Sequence, residues 1–157
     1  MDSFVETVKQ VCERPEMFVG GGSYLEVAAL LTGYDLATSG GALSGFREWL
    51  TVRLDGGSNL AWPRLVLDAA FPNRESIDPT MLTAGEDRSA LDMLCDLVLE
   101  FREERAAGGL RRVYLAYHAW LKQQDWYGPD SADWFEPGDG PKGAKPPTKP
   151  RDPNQGA

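Results

Sequence analysis

Residues 86–106, EDRSALDMLCDLVLEFREERA, decide the fold. Their apolar side chains recur at intervals of three and four residues, which predicts a long α-helix. The side chains form two neighbouring stripes, the first made of Leu91, Leu94, Cys95 and Val98, and the second of Met93, Leu97 and Phe101. Because an apolar arc of that width has to be covered by more than one neighbour, we expect this helix to be the central one.

The rest of the sequence as far as residue 135 repeats the helical spacing and has no alternation of the kind typical of strands. Glycine pairs and prolines separate the helical stretches, because both residue types interrupt helices. The pattern predicts further helices at residues 3–14, 23–38, 43–54, 60–71 and 110–123, and a loop at residues 72–85.

Short signals mark the helix boundaries. Ser3 and Ser23 each precede an acidic residue by three positions, so we expect both to act as N-caps in capping boxes. We expect Asn59 to cap the helix that follows it. Residues 17–19 predict a short extended piece. Gly33 lies inside the second helical stretch, where it costs about 1 kcal/mol relative to alanine, so we interpret it as a helix–helix contact point.

These patterns predict an all-α fold, a single compact bundle of five to six helices over residues 1–135. A hydrophobic fraction of 42% is typical of a globular domain. Residues 136–157 are rich in Pro, Gly and Lys, a composition that buries too little apolar surface to fold. We therefore expect a disordered C-terminal tail there.

Charge and apolar content exclude several classes of partner. The net charge is −8, and residues 1–135 hold 12 bases and 21 acids, so the domain would repel nucleic acid. No apolar run reaches the roughly 20 residues that a membrane helix needs. We expect a cytoplasmic protein that binds neither nucleic acid nor membrane. In that compartment we interpret Cys12 and Cys95 as small buried hydrophobes rather than a disulfide.

The clearest candidate surface is a row of carboxylates on the central helix. It consists of Asp92, Asp96, Glu100, Glu103 and Glu104. Like charges at this spacing repel each other, and a solvated helix face is the simplest interpretation. An acidic ridge can also meet a basic partner protein, and paired carboxylates can perform acid–base chemistry or bind a divalent metal. We assign the five residues as partner-binding and predict no catalytic residue, cofactor or metal.

Three other features carry weaker signals. His118 is the only histidine, and since its neighbours are aromatic rather than acidic we expect it to be structural. Residues 20–23, Gly-Gly-Gly-Ser before a helix, resemble a phosphate-binding loop without its lysine, so we interpret them as a turn and N-cap. An aromatic segment near the end of the domain contains Trp126, Tyr127, Trp134 and Phe135. We expect these rings to be buried on the helical core, with an interface hot spot as the alternative.

Several short motifs follow one another along the chain. They are Arg14-Pro15-x-Met17-Phe18-x-Gly20, Gly33-Tyr34-x-Leu36-Ala37, Phe46-x-x-Trp49-Leu50-x-x-Arg53 and Asn59-Leu60-Ala61-Trp62-Pro63, followed by the acidic helix. Together, over residues 10–105, they resemble a family of small uncharacterised bacterial proteins. The family's opening usually reads Arg-Pro-Gly-Met-Tyr-x-Gly, from which Glu16 and Phe18 depart. Its members look like the small acidic proteins found beside bacterial polymorphic toxins, which implies an immunity function.

The hypothesis that joins these observations is a non-enzymatic protein-binding domain, most concretely an immunity protein that neutralises a basic bacterial toxin. One alternative is a small hydrolase or nucleotide-binding enzyme that uses residues 20–23 or the carboxylate row. The other is an orphan regulatory or scaffolding module.

Overall fold

The computed structural model describes residues 2–131 and 134, and within them the chain forms five α-helices and no strand. The helices are α1 (Ser3–Glu13), α2 (Tyr24–Ala37), α3 (Phe46–Leu54), α4 (Trp62–Ala70) and α5 (Ala84–Leu121). The predicted all-α class is confirmed. None of these helices combines the length and the apolar character needed to cross a membrane. The disordered tail predicted for residues 136–157 lies outside the described residues.

The chain divides into two units, residues 1–121 and residues 122–157. All five helices belong to the first unit. In the second unit the described residues, 122–131 and 134, form turns and irregular backbone. The helical core and both candidate sites described below therefore lie within the first unit.

α5 is the central helix of the first unit, as predicted, because α1, α2, α3 and α4 all pack against it. Its inward side chains have almost no exposure, among them Leu91, Leu94, Val98 and Phe101. Gly109, with φ 73° and ψ 168°, interrupts the helical backbone. It divides α5 into a first arm, residues 84–108, and a second arm, residues 110–121. The glycine pair thus ends one helical segment and starts the next, as the sequence predicted.

Side-chain caps define the starts of α1 and α2. The predicted capping box is present at α2, where Ser23 Oγ accepts from the Glu26 N–H and the Glu26 carboxylate accepts from the Ser23 N–H. At α1 the predicted cap was wrong by one residue. Asp2 replaces Ser3, because the Asp2 carboxylate accepts a hydrogen bond from the Phe4 N–H across 3.1 Å.

Three further local predictions were wrong. Residues 17–19, predicted to be extended, are the end of a short 3₁₀ helix (Pro15–Met17) and the turn after it, because the Phe18 and Val19 N–H groups fold back to donate to the Pro15 carbonyl. α4 begins after Ala61, so Asn59 is not its cap. Gly33 is exposed, and a Cβ atom placed on it would meet no atom of another element within 4 Å. No neighbouring helix approaches that glycine.

A disulfide between Cys12 and Cys95 joins α1 to α5, with Sγ atoms 2.03 Å apart and Cα atoms 6.1 Å apart. The interpretation of these cysteines as separate buried hydrophobes was therefore wrong. Helical spacing placed each cysteine on a side of its helix that faces a neighbour. A separation of 83 residues in the sequence, however, carries no information on which helices become neighbours. The bridge closes a loop that contains α2, α3 and α4.

Candidate functional site

The predicted carboxylate row is divided between two faces of α5, because residues spaced by four gradually rotate around the axis of an α-helix. Each four-residue step along an α-helix advances a side chain around the axis by roughly 40°. Glu104 therefore lies roughly 120° around the axis from Asp92, whereas Glu103 lies within roughly 20° of Asp92. The structure places Asp92 and Asp96 beside α1, and Glu100 and Glu104 beside α3. The five residues do not form one surface.

Asp92 and Asp96 line an open groove between α1 and the first arm of α5, with a volume of about 530 Å³. We call it the α1–α5 groove, and its walls include Lys9, Cys12 and Glu13 from α1 and Arg88, Asp92 and Asp96 from α5. An ion pair of 2.8 Å joins Arg88 to Asp92, and both side chains remain 55% exposed. Among residues 2–131 and 134, no base lies within ion-pair distance of Asp96. The groove therefore presents exposed carboxylates that the domain itself only partly neutralises.

Glu100 and Glu104 make contacts inside the domain. Arg53 Nη1 lies 2.5 Å from Glu100 Oε1, and the indole N–H of Trp49 donates to Glu104 Oε2 across 2.9 Å. The Arg53 guanidinium also lies 5.0 Å above the Trp49 ring, a favourable cation–π distance. These bonds hold α3 against α5. A partner that bound Glu100 or Glu104 would have to break them.

Three backbone donors at the glycine turn and the start of α2 already have acceptors within the protein. The N–H groups of Gly21 and Ser23 donate to the Glu26 carboxylate across 3.0 Å, and the Tyr24 N–H donates to the Asp87 carboxylate across 3.1 Å. The hydrogen bonds from Ser23 and Gly21 hold the pKa of Glu26 below its usual range. A phosphate needs free donors at such a turn. Here two of the protein's own carboxylates take that place, which agrees with the interpretation as a turn and N-cap.

His118 lies partly buried in the second arm of α5. The ring of Tyr117 beside it stacks on Trp120, with ring centroids 6.0 Å apart, and the Arg47 guanidinium lies 6.0 Å from the Tyr117 centroid. In the part of the chain that the structure describes, no group of three or more His, Cys, Asp and Glu side chains is arranged to hold a metal ion. The structural role of His118 stays a prediction.

The aromatic segment matches its prediction only in part. Within the second unit, Tyr127 is buried and its ring lies 5.1 Å from that of Trp134, which is half-buried. Trp126 is 59% exposed, so the predicted burial of that residue was wrong. The Trp126 and Tyr127 rings are nearly perpendicular, with centroids 6.1 Å apart. Phe135 lies outside the described residues.

A second concave site lies between α3 and the bend of α5, and sequence reasoning missed it. We call it the kink cleft; it has a volume of about 310 Å³, and its walls include Trp49, Val52 and Arg53 from α3 and Arg112, Val113 and Ala116 from the second arm. The only sign of this site in the sequence was the glycine pair at residues 108 and 109. The pair predicted the break in α5, but it did not indicate that the bend opens a space beside α3.

Two concave surfaces of the first unit, the groove and the cleft, are therefore the candidate sites. The groove is acidic and open, whereas the cleft is smaller and combines apolar walls with two arginines and Glu104. Comparison of the chain with family models, curated proteins and solved structures finds no match.

Proposed function

We propose that this domain is a non-enzymatic binding protein, an immunity protein that neutralises a basic bacterial toxin through the α1–α5 groove. The observation that supports the groove is the pair of exposed carboxylates, Asp92 and Asp96, on consecutive turns of α5. Glu103 is exposed on the same face of the helix. These three residues are the members of the predicted acidic row that form no hydrogen bond or ion pair with α3.

Electrostatics favours a basic partner at this surface. Asp92 and Asp96 repel each other across one helical turn, and a cationic side chain placed between them relieves that repulsion. The protein as a whole carries a net charge of −8, so its field attracts a basic protein from a distance and accelerates encounter. Surface ion pairs such as Arg88–Asp92 contribute little stability, so exchanging them for a partner's bases costs the domain little.

The test uses the toxin-like protein that the hypothesis expects to be encoded beside this gene. We expect co-expression with wild-type protein to protect cells from that toxin, and Asp92→Lys/Asp96→Lys to abolish protection and direct binding. The matched control is Glu16→Lys/Glu75→Lys, because both residues are exposed, neither lines the groove, and the change in net charge is the same. Binding of the wild type should weaken as salt is raised.

Two outcomes would overturn the proposal. One is full protection by the groove variant, provided that its thermal melting curve matches the control's. The other is the consistent absence of a toxin-like reading frame beside the gene. Loss of protection in both charge variants would show that net charge, and not the groove, is what the toxin recognises.

The cytoplasmic location belongs to the same proposal and has its own test. The Cys12–Cys95 disulfide weighs against a reducing compartment, since cytosolic thiols are generally kept reduced. Alkylation of freshly lysed cells, followed by mass spectrometry of the two cysteine peptides, distinguishes the alternatives. Fully alkylated cysteines support the cytoplasm, and a persistent disulfide rules it out.

A further inference from the structure

The kink cleft exists because two glycines shape the backbone around it. Gly109 has a φ of +73°, which side chains rarely tolerate, and it bends α5 away from a straight path. Gly45, before α3, has a φ of +84°, and a Cβ atom there would lie 3.1 Å from Leu110 Cδ2 and 3.2 Å from Val113 Cγ1. The second arm therefore packs closely against the start of α3. The bend leaves an open space beside Trp49.

The walls of this space are mainly apolar, and they are formed by Trp49, Val52, Val113 and Ala116. Arg53 and Arg112 also line the cleft, and they differ in whether a carboxylate of the domain neutralises them. Arg53 is already paired with Glu100 across 2.5 Å. Among residues 2–131 and 134, no carboxylate lies within ion-pair distance of Arg112. Arg112 is therefore available to pair with an anion beside an apolar wall, although the overall charge of −8 repels anions from the protein as a whole.

We propose that the kink cleft binds a small carboxylic acid with an apolar body. The carboxylate pairs with Arg112, whose planar guanidinium can donate two parallel hydrogen bonds to it. The apolar body lies against Trp49 and Val113. The volume of about 310 Å³ is at the lower end of the range for small-molecule pockets, roughly 300–1,000 Å³. Glu104 also lines the cleft and repels anions there, so a ligand with one negative charge is favoured over a ligand with two.

The experiment titrates the full chain with indole-3-acetate and with decanoate, and follows backbone and indole N–H signals by NMR. The neutral amides of the same two acids serve as matched ligands without the charge. We expect saturable one-to-one binding of at least one acid, with shifts of the Trp49 indole and Gly109 amide signals. The corresponding amide should bind about tenfold more weakly or worse, because it loses a charge-assisted hydrogen bond.

Two neighbouring arginines give a matched pair of variants. Arg112→Gln should weaken acid binding by about tenfold or more, again through loss of the charge-assisted bond. Arg111→Gln removes the same charge from an exposed residue that does not line the cleft, and it should bind like the wild type. Asp92→Lys/Asp96→Lys should also retain acid binding, which separates this site from the groove.

The inference is overturned if neither acid gives saturable shifts of Trp49 and Gly109 at millimolar concentration, or if saturable shifts fall elsewhere in the domain. Equal weakening by Arg112→Gln and Arg111→Gln would also overturn it, since the effect would then come from net charge. Thermal melting of both variants checks that each remains folded.

Discussion

The indole N–H of Trp49 donates a hydrogen bond to the carboxylate of Glu104 across 2.9 Å, and this bond joins α3 to α5. Trp49 is 8% exposed, and its ring lies 6.1 Å from the Phe46 ring and 5.7 Å from the Phe101 ring. Glu104, which we assigned to partner binding from the sequence, thus orients a tryptophan of the core. We therefore expect removal of the Glu104 carboxylate to lower the stability of the domain.

We expect Glu104→Ala to lower the free energy of unfolding by about 1 kcal/mol, because the indole N–H loses its charged acceptor. Glu104→Gln keeps an acceptor and should lose less. Glu103→Ala, at an exposed neighbour, is the matched control and should change stability by less than about 0.5 kcal/mol. Urea denaturation measures all three, and equal losses at Glu103 and Glu104 would contradict the role of the hydrogen bond.

Gly33 and Gly109 should respond to the same substitution with opposite signs. A Cβ atom meets no neighbour at either position, so the comparison isolates backbone conformation. Gly33→Ala, in the exposed face of α2, should stabilise the domain by about 0.5–1 kcal/mol. Gly109→Ala, at a φ of +73°, should destabilise it by about 1–3 kcal/mol. Thermal and urea unfolding provide the check, and a stabilised Gly109→Ala variant would exclude the bent backbone.

The disulfide should contribute a large part of the stability. Reduction, or Cys12→Ala/Cys95→Ala, should lower the free energy of unfolding by about 2–5 kcal/mol, chiefly by opening the closed loop in the unfolded chain. The measurement is urea denaturation with and without dithiothreitol. The double variant is the control, because the reductant should leave its curve unchanged. A wild-type curve that does not move after verified reduction would contradict the prediction.

Glu26 should make stability depend on acid pH. Its pKa is lowered in the folded state from the ordinary 4.5, chiefly by the hydrogen bonds from the Ser23 and Gly21 N–H groups. The unfolded chain therefore binds this proton more readily than the folded chain. The resulting stabilisation is complete above about pH 4.5 and disappears as the pH falls through the folded pKa.

We expect Glu26→Gln to flatten the fall in unfolding free energy on the acid side. The control is Glu75→Gln, which removes an exposed carboxylate that accepts no hydrogen bond within the described residues. Urea midpoints measured from pH 6 downward, with an NMR titration of the Glu26 carboxyl group, test the prediction. It fails if the two variants follow the same curve.

Local signals in the sequence were sufficient for most element boundaries. The capping box at Ser23 and the break at Gly109 depend on the conformational preferences of residues close together in the chain, so the sequence alone predicted both. The buried face of α2 was harder to predict. Apolar residues surround that helix on nearly every side, so their spacing does not distinguish buried from exposed positions. Leu25 and Leu36 are 39% and 75% exposed, whereas Tyr24 and Val27 are buried.

Tertiary relationships were beyond the reach of sequence patterns. The partners in the Arg53–Glu100 ion pair are 47 residues apart, and nothing in the spacing of either helix indicates that they meet. The disulfide was not predicted for the same reason, because the spacing within α1 and α5 does not indicate that the two helices are neighbours. The division of the acidic row, in contrast, could have been predicted. A row spaced by four residues drifts around an α-helix, so its ends face different neighbours.

The Cys12–Cys95 bridge also determines how the protein responds to a pulling force. Tension applied at the two ends of the chain passes across the sulfur atoms and bypasses residues 13–94, which lie between the two cysteines. That segment includes α2, α3 and α4, and the disulfide prevents the force from extending it, which would add roughly 270–300 Å to the length of the chain. A machine that threads polypeptides through a narrow pore would reach a closed loop at Cys95 when pulling from the C-terminus. The machine would have to pass two segments of the chain side by side, or stall until a reductant cleaves the disulfide.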